Sequence, residues 1–198
     1  DAFQSVIKMN SRDFEAHFQV GSLFQNKGDL AKAIHHFKRS IEIKPDYADA
    51  FYSLGNTLKE QGDLNSALDC YKRSISIKPD LTDAHNNMGA LLLEMDHFDA
   101  AKKSLRQALE IIPTHVDACN NLGVALMETG DIDGAIHSYR QAINFQPDNA
   151  DAFNNLGNAE TLLGNLDAAM DNYRRALKIY PDHIAWDNIL FPLKVLES

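Results

Sequence analysis

Residues 48–81 read ADAFYSLGNTLKEQGDLNSALDCYKRSISIKPDL, and the architecture follows from how often that block returns. It comes back at an unbroken 34-residue period, in five blocks spanning 14–47, 48–81, 82–115, 116–149 and 150–183. When each block is numbered from its first residue, position 3 is always Ala (Ala16, Ala50, Ala84, Ala118, Ala152). Position 8 is always Gly (Gly21, Gly55, Gly89, Gly123, Gly157), and position 20 always Ala (Ala33, Ala67, Ala101, Ala135, Ala169). Position 32 is always Pro (Pro45, Pro79, Pro113, Pro147, Pro181). A fixed period of this length marks a stack of supersecondary units, each burying its apolar face on the next.

Within a block the spacing predicts helix, tight turn, helix. Apolar residues at positions 4, 7 and 11, such as Phe51, Leu54 and Leu58, form one helical stripe. Gly at position 8 lies beside that stripe and lets the second helix come close. Gly28, Gly62, Gly130 and Gly164 at position 15 suit a left-handed C-terminal cap. Asp29, Asp63 and Asp131 then stand ready to cap the following helix. The third block has Asp96-His97-Phe98 instead, and aspartate tolerates the left-handed region well enough for the turn to survive with strain. The second helix carries an apolar residue at position 24 (Phe37, Tyr71, Leu105, Tyr139, Tyr173) and stops at the proline. Asp46, Asp80, Thr114 and Asp148 follow the proline and are expected to cap the next first helix. Asp49, Asp83, Asp117 and Asp151 stand three residues further on, in a spacing like a capping box.

These residues resemble the tetratricopeptide repeat family. The resemblance implies an all-α, right-handed superhelical solenoid of antiparallel helix pairs, with the first helices lining a concave surface. Residues 1–13 read as an orphan second helix of a preceding repeat or an N-terminal cap, with Phe3 and Ile7 on its apolar face. Residues 184–198 begin like a sixth first helix, but Phe191 falls where glycine belongs and Pro192 follows. Leu190, Leu193 and Leu196 would leave an apolar ridge there, to cap the last repeat, to join a following segment, or to bind a second copy as a homo-oligomer.

Composition excludes several function classes. The net charge of -9 argues against a general nucleic-acid binder. No apolar run approaches the ~20 residues that cross a bilayer. Cys70 and Cys119 read as small packing residues of a reducing compartment, so a cytoplasmic protein is expected. His17 and His85 take the apolar position 4, and adjacent His35 and His36 diverge on their helix, so no metal site is expected. No glycine-rich phosphate loop or nucleophile elbow is present. The sequence therefore predicts no catalytic residue and no cofactor.

The candidate site lies on the first helices. Positions 2, 6, 9 and 13 fall on one helical stripe. Position 2 is acidic throughout (Glu15, Asp49, Asp83, Asp117, Asp151). Position 6 gives Gln19, Ser53, Asn87, Asn121 and Asn155, while position 5 adds Asn86, Asn120 and Asn154. Asn56 and Asn158 occupy position 9, and Glu60, Glu94 and Glu128 position 13. A row of carboxamides can bond an extended peptide backbone, and acids nearby favour a neutral to basic partner. Equally, the position-2 acids favour the positive ends of their helices.

This pattern is similar to the superhelix of protein O-GlcNAc transferases. That resemblance implies that Asn87, Asn121 and Asn155 grip peptide backbone and that Asp49, Asp83, Asp117 and Asp151 meet its side chains. Gln19 and Ser53 depart from it. The first helices hold only two basic residues, Lys27 and Lys59, which speaks against a chaperone-type carboxylate clamp. Lys38, Lys72, Arg106, Arg140 and Arg174 fall at position 25 of the second helices and read as a solvated outer face. The sequence thus predicts a non-catalytic scaffold for a protein or peptide. The alternatives are the substrate-recognition arm of a larger enzyme, such as a glycosyltransferase, and a self-assembling module.

Overall fold

The computed structural model describes residues 13–181, and the expectations for residues 1–12 and 182–198 lie outside the described residues. Ten helices and no strand occur among the described residues: α1 Phe14–Asn26, α2 Leu30–Ile43, α3 Ala48–Gln61, α4 Leu64–Ile77, α5 Thr82–Glu94, α6 Phe98–Ile111, α7 Val116–Glu128, α8 Ile132–Phe145, α9 Ala150–Leu162 and α10 Leu166–Ile179. The chain divides into two compact units between Asp96 and His97, so α1–α5 belong to the first and α6–α10 to the second.

In the first unit α1 packs on α2 and α3 on α4, while α2 meets α3 and α4 meets α5. In the second, α7 packs on α8 and α9 on α10, with α6 against α7 and α8 against α9. The position-8 glycines of the first, second, fourth and fifth blocks set the distance within their pairs. A Cβ on Gly55 would lie 2.7 Å from the Tyr71 ring, and one on Gly157 2.5 Å from the Tyr173 ring. Phe37 fills the same seat over Gly21, and Tyr139 lies closer still over Gly123. Position 20, one turn before position 24 on the same helix, is buried alanine in every block. In the first unit Ala33, Phe37, Leu54, Leu58, Ala67, Tyr71 and Leu91 form one continuous core. Two buried serines tie second helices to the start of their own first helices. Ser40 Oγ donates to the Phe14 carbonyl at 2.8 Å, and Ser74 Oγ to that of Ala48 at 2.9 Å.

The turns inside the pairs form as the sequence implies. Gly62 ends α3 at φ 91°, where a side chain would be strained, and its N–H returns to the α3 carbonyls. Asp96 holds the same left-handed place at φ 58° in the third block. The side chains of Asp29, Asp63 and Asp131 accept from backbone N–H groups of Lys32, Ser66 and Gly134.

The caps of the first helices fall one residue later than the sequence suggested. Asp46, Asp80, Thr114 and Asp148 are not N-caps; that place belongs to Tyr47, Leu81, His115 and Asn149. The proline is the reason. Pro45 and Asp46 form the corner of a turn closed by the Tyr47 N–H on the Lys44 carbonyl at 3.2 Å, and the helix starts only after it. The same bond closes the turns at Leu81, His115 and Asn149. His115 and Asn149 cap through their side chains, while Tyr47 and Leu81 make no such bond. Asp49, Asp83, Asp117 and Asp151 consequently sit at the second residue of each helix. At that place their charge favours the helix N-terminus.

Candidate functional site

The carboxamides of the first helices are joined to one another across neighbouring blocks. In the first unit, Asn87 on α5 donates both N–H groups of its amide to α3, to Tyr52 Oη and to Asn56 Oδ1, each at 3.0 Å. Asn56 Oδ1 also accepts from Tyr71 Oη of α4 at 2.7 Å. Asn86, only 6% exposed, donates to Asn87 Oδ1 at 3.2 Å. Burial pushes the Tyr71 hydroxyl well above its ordinary pKa, with Tyr52 adding to the shift, so it stays protonated and remains a donor. Beside this network Lys59 pairs with Glu94 at 2.6 Å, which compensates one of the two lysines of the first helices.

The second unit repeats part of this arrangement. Asn155 Nδ2 on α9 donates to Asn120 Oδ1 on α7 at 3.1 Å, so a position-6 amide again reaches position 5 of the preceding block. Tyr173 Oη donates to Asn158 Oδ1 at 2.8 Å, as Tyr71 does to Asn56. Asn154 is half-buried, and its buried Oδ1 has no donor among the described residues. Asn120, Asn121, Asn155 and Asn158 are half-buried, while Asp83, Asp117 and Asp151 are exposed. The amides and acids picked out by the sequence thus lie on the first helices at the expected registers. Asn56, Asn86 and Asn87 form one network in the first unit, and Asn120 and Asn155 form a pair in the second.

Two features escaped the sequence reading. The first is the part played by Tyr52 and Tyr71, which anchor the amide network. The second is Glu160 on α9, which is 4% exposed at position 11, where the other blocks carry Phe24, Leu58, Leu92 and Leu126. Its Oε1 accepts from Arg140 of α8 at 3.0 Å and its Oε2 from Asn165 at 2.8 Å. A cavity of about 330 Å³ opens over it, floored by Phe153 and Leu156 and walled by α8 and α10. Arg175 lies over the Phe153 ring at 5.7 Å. An acid in an otherwise apolar column was the signal that could have found it.

Burial lifts the Cys70 thiol to about 11 and the Cys119 thiol also upward, which leaves both in the unreactive form. The His17 and His36 rings meet at Nδ1 to Nδ1, 3.1 Å apart. Among the described residues no group of three His, Cys, Asp or Glu is placed to hold a metal ion. No described helix is long and apolar enough to cross a membrane.

Comparison with known proteins fixes the class. A family model described as TPR repeat matches residues 21–62, 55–96 and 124–160, and models described as tetratricopeptide repeat match residues 82–115 and 150–183. The chain belongs to the tetratricopeptide repeat family, whose members are typically non-catalytic scaffolds. Among solved structures it is similar to YrrB, described as a TPR protein with an unusual peptide-binding site (22% identity, TM-score 0.78, covering 100% of this chain and 99% of that one). It is also similar to MamA (25% identity, TM-score 0.76, 84% and 91% covered) and to MamA of Desulfovibrio magneticus RS-1 (16% identity, TM-score 0.78, 86% and 97% covered). No curated protein matches the chain.

Proposed function

We propose that the chain is a non-catalytic interaction scaffold, working in the cytoplasm, that holds an extended, neutral to basic peptide along the amides and acids of its first helices. The observation that carries this reading is the amide-to-amide bond between α7 and α9, flanked by the exposed carboxylates Asp117 and Asp151. Side chains so joined are held in place before a guest arrives, which lowers the ordering cost of binding. Carboxamides offer donors and acceptors to a main chain of any sequence, and the carboxylates select against acidic guests. YrrB, with the same fold, is described as having a peptide-binding site.

The test is an array of unstructured peptides in matched basic, neutral and acidic versions, followed by titration of the best binder by fluorescence polarisation. The basic versions should bind best. Their affinity should fall as the screening length shrinks from about 10 Å at 0.1 M salt to about 3 Å at 1 M. Equal binding of acidic and basic versions, or no binding at all, would refute the proposal.

A further inference from the structure

We infer that the cavity over Glu160 is a separate docking point, which takes a tyrosine side chain of a partner protein, with the ring on Phe153 and Leu156 and the phenol O–H donated to the buried carboxylate. Phe153, Leu156 and Glu160 belong to the apolar stripe of α9 and not to its amide stripe. The inference therefore stands apart from the scaffold reading above.

Glu160 is an acid where folding does not ask for one. Position 11 is apolar in the first four blocks, and in the second it is Leu58, a member of the core. A leucine would fill the place in α9 without the cost of burying a charge. Glu160 is instead 4% exposed and lines a cavity of about 330 Å³, within the size range of small-ligand pockets.

The carboxylate has bonding capacity left to offer. A carboxylate accepts about four hydrogen bonds. Glu160 takes one on each oxygen, from Arg140 and from Asn165, so acceptance remains for a donor that enters the cavity. Asn172, half-buried on α10 in the same lining, makes no side-chain hydrogen bond among the described residues and adds a further polar group.

The charges of the lining decide which donor fits. Arg140 and Arg175 are balanced there by Glu160 and Asp171. Arg140 is already paired with Glu160, and Asp171 with Arg174. Neither an ammonium nor a carboxylate group gains from so balanced a setting, whereas a neutral donor does not depend on net charge. The floor asks for a ring, since Phe153 and Leu156 are apolar and buried. Arg175 is exposed beside that floor, 5.7 Å over the Phe153 ring, and its planar guanidinium can stack on an incoming ring as well. Tyrosine joins a neutral ring to a donor, and carries that donor at the far tip of the side chain, where a buried carboxylate can be reached. Tryptophan carries its donor on the flank of the ring.

The experiment titrates the full chain with N-acetyl-tyrosinamide and with the phenylalanine, tryptophan and lysine analogues, and follows the backbone amide signals by NMR. The tyrosine probe should bind saturably with a Kd of about 1 mM, the scale of so small a ligand. It should shift the signals of Leu156, Glu160 and Asn172. The phenylalanine probe should bind about tenfold more weakly, the scale of one lost hydrogen bond to a charged acceptor. Glu160→Leu, with circular dichroism to confirm the fold, should leave no preference for tyrosine, and Glu160→Gln, which keeps an acceptor oxygen, should retain part of it. Equal binding of the tyrosine and phenylalanine probes to the wild-type chain overturns the inference. So does tighter binding of the lysine or tryptophan probe, or the absence of a saturable shift on α9 and α10. None of these outcomes touches the reading of the amide stripe.

Discussion

The ring of Tyr139 lies so close over Gly123 that a methyl group on that glycine would overlap Cε1, Cδ1 and Cζ of the ring. Tyr139 is itself 2% exposed and cannot swing aside into solvent. Alanine is the better helix former by about 1 kcal/mol, but overpacking a filled interior costs about 1–3 kcal/mol and here exceeds it. Gly123→Ala should therefore lower stability, and by more than Gly21→Ala, where the ring is less close. Urea midpoints of the two variants check the order.

Asp96 takes a left-handed conformation that the other blocks give to glycine. Placing a side chain there costs on the order of 1 kcal/mol, somewhat less for aspartate than for most residues. Asp96→Gly should raise stability by about 0.5–1 kcal/mol, offset in part by the greater freedom of glycine in the unfolded chain. A denaturation midpoint that falls would show that the aspartate side chain holds the turn in some other way.

Glu160 stands in an apolar column with one exposed guanidinium, that of Arg140, as its ionic partner. Replacing a buried ion pair by an apolar side chain is often neutral or stabilising by about 1–4 kcal/mol. Glu160→Leu, which restores the residue of the neighbouring columns, should leave the chain as stable as before or more so. Strong destabilisation would mean that the Arg140 and Asn165 bonds outweigh the cost of burying the charge.

His36 gives the first unit a dependence on pH. Burial pushes its imidazole below the ordinary value, and His17 and His35 push in the same direction. The unfolded chain takes up that proton near the ordinary ~6.5, the folded chain only at lower pH. Between those two values the unfolded state binds more protons, so stability rises with pH across the window and is lost on acidification through it. His36→Gln should flatten this slope in urea titrations at a series of pH values. An unchanged slope would place the titration elsewhere.

The features legible in the sequence are those that depend on one block alone. Gly55 under Tyr71, Gly62 at the turn and Asp63 at the next cap all recur at fixed positions, and local chemistry dictates each of them. What the sequence concealed depends on competition or on neighbours. Asp46 has the chemistry of a cap, but Pro45 turns the chain there first, and Tyr47 takes the place. The links from Asn87 to Tyr52 and to Asn56 need the distance between α3 and α5, which no period reveals. Glu160 was visible as an exception in its column, yet only burial shows that the exception faces inward.

The seat of each position-24 ring on its own glycine, and of Ser74 on the Ala48 carbonyl, closes entirely within one block of sequence. A block duplicated whole in the gene therefore brings the contact between its own two helices, and the rest of its core must be fitted to the new neighbours. Length in such a chain can grow by copying, while residues such as Asn56 and Tyr52, which bond to Asn87 of the next copy along, are where otherwise like blocks become different in use.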